Sequence, residues 1–120
     1  MNATMNANRP VIRRWAGHLF VLSVLLSGTA AASEPVVELL IRNHQFEPAV
    51  VKIPAQTKVK MVIKNLDPTP EEFESYSLKR EKIIPGNGTA TLFIGPLAPG
   101  SYAFVGEFNE ATAKGEVVVE

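Results

Sequence analysis

The sequence predicts an all-β fold, a sandwich or barrel of roughly seven or eight short strands. Apolar and polar residues alternate with a period of two through almost every segment after residue 32. Pro, Gly, Asn and Asp bound these segments, as they do at turns between strands. No run has the length and the 3.6-residue period of an amphipathic helix, and no internal repeat or second domain is evident. A single sandwich therefore accounts for residues 33–120.

Residues 1–32 predict a secretory signal peptide. Three arginines precede an apolar stretch from Leu19 to Leu26, and the tail at 30–32 has the small-residue A-x-A form of a cleavage site. The apolar stretch is shorter than the roughly 20 residues that cross a bilayer. We expect cleavage before Ser33, a periplasmic location for residues 33–120, and no membrane span after cleavage.

The first strands follow from alternation. Val37, Leu39 and Ile41 alternate with polar neighbours, and the segment from Asn43 to Pro48 interrupts the pattern. A second run begins at Ala49. The third run has lysines on one side and apolar residues on the other, which indicates one wet face and one buried face. The polar face carries Lys58, Lys60 and Lys64, and the apolar face carries Val59, Met61 and Ile63.

The segment from Glu71 to Leu78 allows two interpretations. Thr69, Pro70 and Glu72 match a helix start, with an N-cap, an N1 proline and a capping-box glutamate. The aromatic and hydroxyl residues that follow suit a strand better, and we favour the strand. On a strand, Glu72 and Glu74 point to one face while Phe73 points to the other.

The last strands are separated by two clear turns, at residues 85–88 and at residues 99–100. A β-rich run from Thr89 to Ile94 lies between them. Tyr102 to Phe108 leads into a variable loop, and the final strand contains residues 117–119.

Composition excludes several function classes. Three of the twelve basic residues and none of the twelve acidic ones lie in residues 1–32, so the mature chain has nine basic residues and a net charge of −3. This charge argues against nucleic-acid binding. The chain has no cysteine, which excludes disulfides and thiolate ligands. His44 is the only histidine after residue 32 and falls in a predicted loop, so the sequence gives little support to a Ser-His-Asp hydrolase. We predict a protein that is not an enzyme, with assistance to metal-dependent iron oxidation as the one enzymatic alternative.

Four stretches of the chain resemble a known fold. They are "FEPAVVKIPAQTKVKMVIKN" (46–65), "TPEEFESY" (69–76), "IIPGNGTATLFIGPLAPGSYAF" (83–104) and "KGEVVV" (114–119). Their order resembles the cupredoxins, the Greek-key sandwiches of blue-copper proteins. The resemblance implies a cupredoxin-like Greek-key β-sandwich.

The copper ligands of that family are missing. The resemblance places the family's cysteine at Gly106, its second histidine at Asn109 and its methionine at Ala113. Its first histidine falls on Glu71 or Glu72. Type 1 copper needs a thiolate and two imidazoles, so this chain cannot form a type 1 copper centre.

The stretch "TPEEFESYSLKREKIIPG" is similar to a divergent branch, the EfeO-type cupredoxin domains of bacterial periplasmic iron uptake. In that branch two glutamates flank an aromatic residue and an acidic loop replaces the copper loop. The resemblance implies an accessory role in iron uptake, with an Ftr-type iron permease and other periplasmic iron-uptake proteins as partners.

The candidate metal site follows from these residues. If the strand face meets the loop, their carboxylates converge, and an amide and an imidazole could complete an oxygen-rich site for iron, manganese or calcium. Copper(II) is also compatible, through the imidazole and carboxylates. Two alternatives remain open: the glutamates are solvated surface charges paired with nearby Lys79, Arg80 and Lys82, or the domain is a metal-free protein-interaction module. The predicted ligands are Glu72, Glu74, Glu107, Glu110, Asn109 and His44.

Overall fold

A computed structural model describes residue 28 and residues 33–120; the predicted signal peptide, apart from Gly28, lies outside the described residues. In residues 33–120 the chain forms nine strands and one short 3-10 turn, called here the 107–109 turn. This part of the chain holds no helix that is long and apolar enough to cross a bilayer. The strands are β1 Val36–Arg42, β2 Gln45–Glu47, β3 Val50–Ile53, β4 Val59–Asn65, β5 Glu71–Ser75, β6 Arg80–Ile84, β7 Thr89–Ile94, β8 Gly100–Gly106 and β9 Lys114–Val119.

The strands form two sheets, as the predicted sandwich requires. One sheet has four strands in the order β2-β1-β4-β7, and the other has five in the order β3-β9-β8-β5-β6. The pairs β1–β4 and β3–β9 are parallel, and the remaining pairs are antiparallel. The described count of nine exceeds the predicted seven or eight because β2 lies in the segment read as a break. With three residues and only Phe46 buried, β2 is too short to show an alternation.

The core lies between the sheets and follows the period-two pattern. Val59, Met61 and Ile63 on β4 are fully buried, which confirms that Met61 is a core residue. Three aromatic rings pack at the centre, from Phe46, Phe73 and Phe104. The ring centroid of Phe46 lies 6.2 Å from that of Phe73 and 4.9 Å from that of Phe104, and both contacts are edge-on. Burial of each such side chain stabilises the folded state by about 1.5–3 kcal/mol. The chain has no cysteine, so no disulfide adds to this stability.

The strand interpretation of the segment after Pro70 is confirmed, although β5 ends at Ser75 rather than at Leu78. The Ser75 hydroxyl donates to the Ala103 carbonyl (2.6 Å) and accepts from the Leu78 amide (3.2 Å). A side-chain hydroxyl that bonds the backbone in this way favours a turn over continued strand. Residues 76–79 accordingly turn back into β6.

Candidate functional site

Glu71 holds the 107–109 turn against the start of β5. One carboxylate oxygen, Oε1, accepts from the Phe108 amide (2.9 Å) and from the Glu72 amide (3.0 Å). The other oxygen, Oε2, accepts from Asn109 Nδ2 (2.6 Å). Glu71 is only 1% exposed, so its charge is compensated by donors rather than by water. These bonds join the buried interior to the turn that carries Glu107.

The positions where the resemblance places copper ligands contact one another. A Cβ atom on Gly106 would lie 2.6 Å from Ala113 Cβ and 2.7 Å from Glu71 Cδ. The Gly106 amide donates to the Ala113 carbonyl (2.8 Å), and Asn109 bonds Glu71. Glu71, rather than Glu72, is therefore the residue turned toward the missing cysteine. Its carboxylate fills the space that a thiolate would need, so these positions do not fit a copper ion.

Three other carboxylates meet on the outer side of the five-stranded sheet. Ligand oxygens of Glu72, Glu81 and Glu107 all lie within 4.8 Å of one another. Oxygens on opposite sides of a Ca²⁺ ion are about 5 Å apart, so this spacing lies within the span of one ion. We call these three residues the carboxylate cluster. They come from β5, β6 and the 107–109 turn.

Glu81 was not among the ligands predicted from the sequence. In the β5–β6 hairpin Glu81 pairs directly with Glu74, which places it on the same face as Glu72. The signal was present in the sequence, since a turn centred on residues 76–79 pairs residues 74 and 81. Arg80 and Lys82, which flank Glu81, were predicted from the sequence only as partners for surface glutamates.

The charges of the cluster disfavour one another. The pKa of Glu72 rises to about 7, chiefly because its protonated carboxyl hydrogen-bonds Glu81, then because of desolvation and the charge of Glu107. The pKa of Glu74 is also raised, first by desolvation and then by Glu107. Among residues 33–120 no lysine or arginine forms an ion pair with these carboxylates. Arg80 instead donates to the carbonyls of Phe93 and Lys79 (2.9 and 3.0 Å).

The remaining predicted ligands lie around the cluster or away from it. Glu74 and Glu110 line a neighbouring open cavity with Tyr76. Asn109 Nδ2 is engaged by Glu71, 2.6 Å away. His44 lies in the turn before β2, where its Nδ1 is 3.6 Å from Asp67 Oδ2 and its amide donates to the same oxygen. The structure therefore brings Glu72 and Glu107 together, adds Glu81, and pairs His44 with Asp67.

A family model described as cupredoxin-like domain matches residues 16–119. An uncharacterised protein of Rickettsia prowazekii (strain Madrid E) is 41% identical over 83 residues, which make up 69% of this chain and 66% of that protein. The chain thus spans about two thirds of the length of this relative.

Solved structures share the fold at low identity. The metal-binding domain of the Cu(I)-exporting P-type ATPase CopA of Streptococcus pneumoniae D39 matches with a TM-score of 0.63 and 13% identity, over 71% of this chain and 84% of that one. Auracyanin A, a blue copper protein of Chloroflexus aurantiacus, matches with a TM-score of 0.63 and 12% identity, over 73% and 100%. A purple cupredoxin of Nitrosopumilus maritimus matches with a TM-score of 0.55 and 17% identity, over 70% and 99%.

Proposed function

Because this chain belongs to the cupredoxin-like domain family, we propose that it is a periplasmic accessory protein of iron uptake that binds a metal cation through Glu72, Glu81 and Glu107. The observation that carries the proposal is the convergence of these three carboxylates from three separate elements. The likeness of the stretch after Thr69 to EfeO-type domains supports the link to iron uptake. Secretion, and docking to an Ftr-type permease, belong to the same proposal.

The physical argument is relief of repulsion. Three carboxylates within 4.8 Å repel one another, and Glu72 is only 8% exposed, so water screens it poorly. A bound cation would remove this penalty and add direct bonds. Among the described residues, no protein cation does so for this cluster.

The ligand type sets the class of metal. Carboxylate oxygens are hard ligands, which suit iron, manganese, magnesium and calcium, and the chain has no cysteine to select a soft ion. Copper(II) is also compatible with such oxygens, and at a given site it generally binds more tightly than iron(II). We propose a cation carrier; among the described residues at the site there is no activated nucleophile of the kind that covalent catalysis needs.

Thermal unfolding in the presence of metal ions tests the proposal. Fe²⁺ under anaerobic conditions, Mn²⁺, Ca²⁺ and Cu²⁺ would each be titrated at pH 7.5. A cation that binds only the folded state adds about 2.7 kcal/mol at 100 times its dissociation constant, so the melting temperature should rise with concentration. Glu81→Gln and Glu72→Gln should abolish the rise.

The matched control is Glu38→Gln. Glu38 is an exposed strand glutamate on the four-stranded sheet, 3.1 Å from Lys64, so this variant should keep the full metal response. If metal still raises the melting temperature of Glu81→Gln as much as that of the parent protein, the proposed metal site is wrong. If no metal changes the melting temperature of the parent protein, the result favours the alternative, a metal-free interaction module.

A further inference from the structure

A second feature of the five-stranded sheet lies beside the carboxylate cluster, where β5 and β8 separate. These strands pair only at Phe73–Gly106 and Glu74–Val105, whereas β8 continues to pair with β9 as far as Gly100. Beyond Val105 the connection between β5 and β8 is the hydrogen bond from Ser75 Oγ to the Ala103 carbonyl (2.6 Å). The separation opens a cleft of about 620 Å³ on the outer face of the sheet.

The floor of the cleft is apolar and its edge carries an aromatic ring. Ala103, Val105 and Ala111 contribute to the floor, and Phe104 lies buried at its base. Tyr76 stands at the edge with 87% of its surface exposed, although it is one of the largest side chains of the domain. An exposed tyrosine beside an apolar floor is typical of a surface that binds a partner.

Acidic residues outnumber basic ones in the lining of the cleft. Glu74 and Glu110 line it, and Lys114 is the one basic residue among its described lining residues. Neither glutamate forms an ion pair in the part of the chain that the structure describes. The charges of Glu74, Glu107 and Glu110 together raise the pKa of Tyr76, Glu74 most strongly. The field at the cleft therefore attracts a cation.

We propose that this cleft docks an extended segment of a partner protein through one arginine side chain. The alkyl stem would lie on the apolar floor, and the guanidinium would bond Glu74 and Glu110 and stack on Tyr76. Charge complementarity selects a basic group, and the apolar floor selects one with an aliphatic stem. The planar fork of arginine reaches two carboxylates and one ring together, which the single ammonium of lysine does not.

This site differs from the carboxylate cluster in residues and in ligand. The cluster uses Glu72, Glu81 and Glu107, none of which lines the cleft. A bare metal ion would gain nothing from the apolar floor. The docking site therefore goes beyond cation binding, although the two sites adjoin where Glu74 contacts Glu107.

The test is a titration of the isotopically labelled protein with the peptide acetyl-Ser-Val-Arg-Val-Ser-amide, followed by amide chemical shifts. We expect saturable shifts at Tyr76, Ala103 and Ala111. The same peptide with citrulline in place of arginine keeps the shape and loses the charge, and it should bind at least tenfold more weakly. A lysine peptide should bind severalfold more weakly than the arginine peptide.

Variants connect the binding to the cleft. Glu110→Gln and Tyr76→Ala should each weaken the arginine peptide about tenfold, and both residues are exposed, so the fold should be retained. Tyr76→Phe keeps the ring and should bind within about twofold of the parent. Glu81→Gln, which should abolish the metal response, should change peptide affinity by no more than about twofold, because Glu81 lies opposite Glu74 in the hairpin but does not line the cleft; the two proposals therefore fail separately.

Several results would overturn the docking site. They are shifts confined to other surfaces, equal affinity for the citrulline or lysine peptide, unchanged affinity in both cleft variants, and absence of any shift at millimolar peptide.

Discussion

Glu71→Ala should destabilise the protein by about 3 kcal/mol, because the buried carboxylate of Glu71 accepts three hydrogen bonds. A hydrogen bond to a charged group contributes about 1.5–3 kcal/mol. We expect a loss smaller than the sum for three such bonds. The 107–109 turn has no buried residue, so water can bond the donors that the substitution frees there. The lost packing against Gly106 and Ala113 adds to the loss.

This loss is large for such a domain. Domains of this size have a free energy of unfolding of about 0.05–0.15 kcal/mol per residue, and each kilocalorie lost lowers the melting temperature by about 4–8 °C. The melting temperature of Glu71→Ala should therefore fall by about 10–25 °C. Calorimetry or circular dichroism gives the change, and urea titration gives the free energy.

Hydrogen exchange of the Phe108 amide gives the specific readout. Its protection should fall in Glu71→Ala, while that of the β4 amides should follow global stability alone. Glu71→Gln keeps an acceptor oxygen for the Phe108 and Glu72 amides and should lose about half as much stability. Glu107→Ala, in the same turn, removes an exposed carboxylate that accepts no backbone or amide hydrogen bond among residues 33–120, and it should change stability by less than about 0.5 kcal/mol. A Glu71→Ala protein with the parent melting temperature and an equally protected Phe108 amide would refute the role assigned to Glu71.

Three further predictions concern the same end of the sandwich. Gly106→Cys should destabilise the protein by about 1–3 kcal/mol, because the new Cβ meets Ala113 and Glu71. Added copper should produce no intense blue absorbance in this variant. A blue copper-loaded form would contradict this prediction. The free energy of unfolding should fall as pH rises from 4.5 to about 7, because Glu72 holds its proton in that window in the folded state and releases it in the unfolded state. Urea titrations should show that the free energy of unfolding of Glu72→Gln depends less on pH. Identical pH profiles for the two proteins would count against the raised pKa. Ser75→Ala should lose about 1–2 kcal/mol by urea titration, since it leaves the Ala103 carbonyl and the Leu78 amide without their partner, and an unchanged midpoint would contradict this.

The candidate site could be predicted only in part. The period of two placed Glu72 and Glu74 on one face, and the acidic loop suggested Glu107, yet the third member of the cluster came from β6. Glu81 enters through the pairing of Glu74 with Glu81, which depends on where the hairpin turns. Shifting that register by one residue would send Glu81 to the other face.

The choice between Glu71 and Glu72 shows the same limit. The resemblance allowed either residue at the position of the missing histidine. Adjacent residues of a strand point to opposite faces, so one residue decides whether a carboxylate bonds the interior of the loop or joins the outer cluster. The contact of Glu71 with Phe108 and Asn109 spans 37 and 38 residues, and no local pattern reports it.

The sequence by itself determined that the protein is an all-β sandwich and that it has no type 1 copper centre, because alternation and the lack of cysteine are properties of the chain alone. Only the tertiary structure decided which carboxylates meet, that Glu71 fills the place of a thiolate, and that β5 and β8 separate into a cleft. The physical reason is that alternation fixes which way a side chain faces, whereas strand order and register fix which distant side chains it faces.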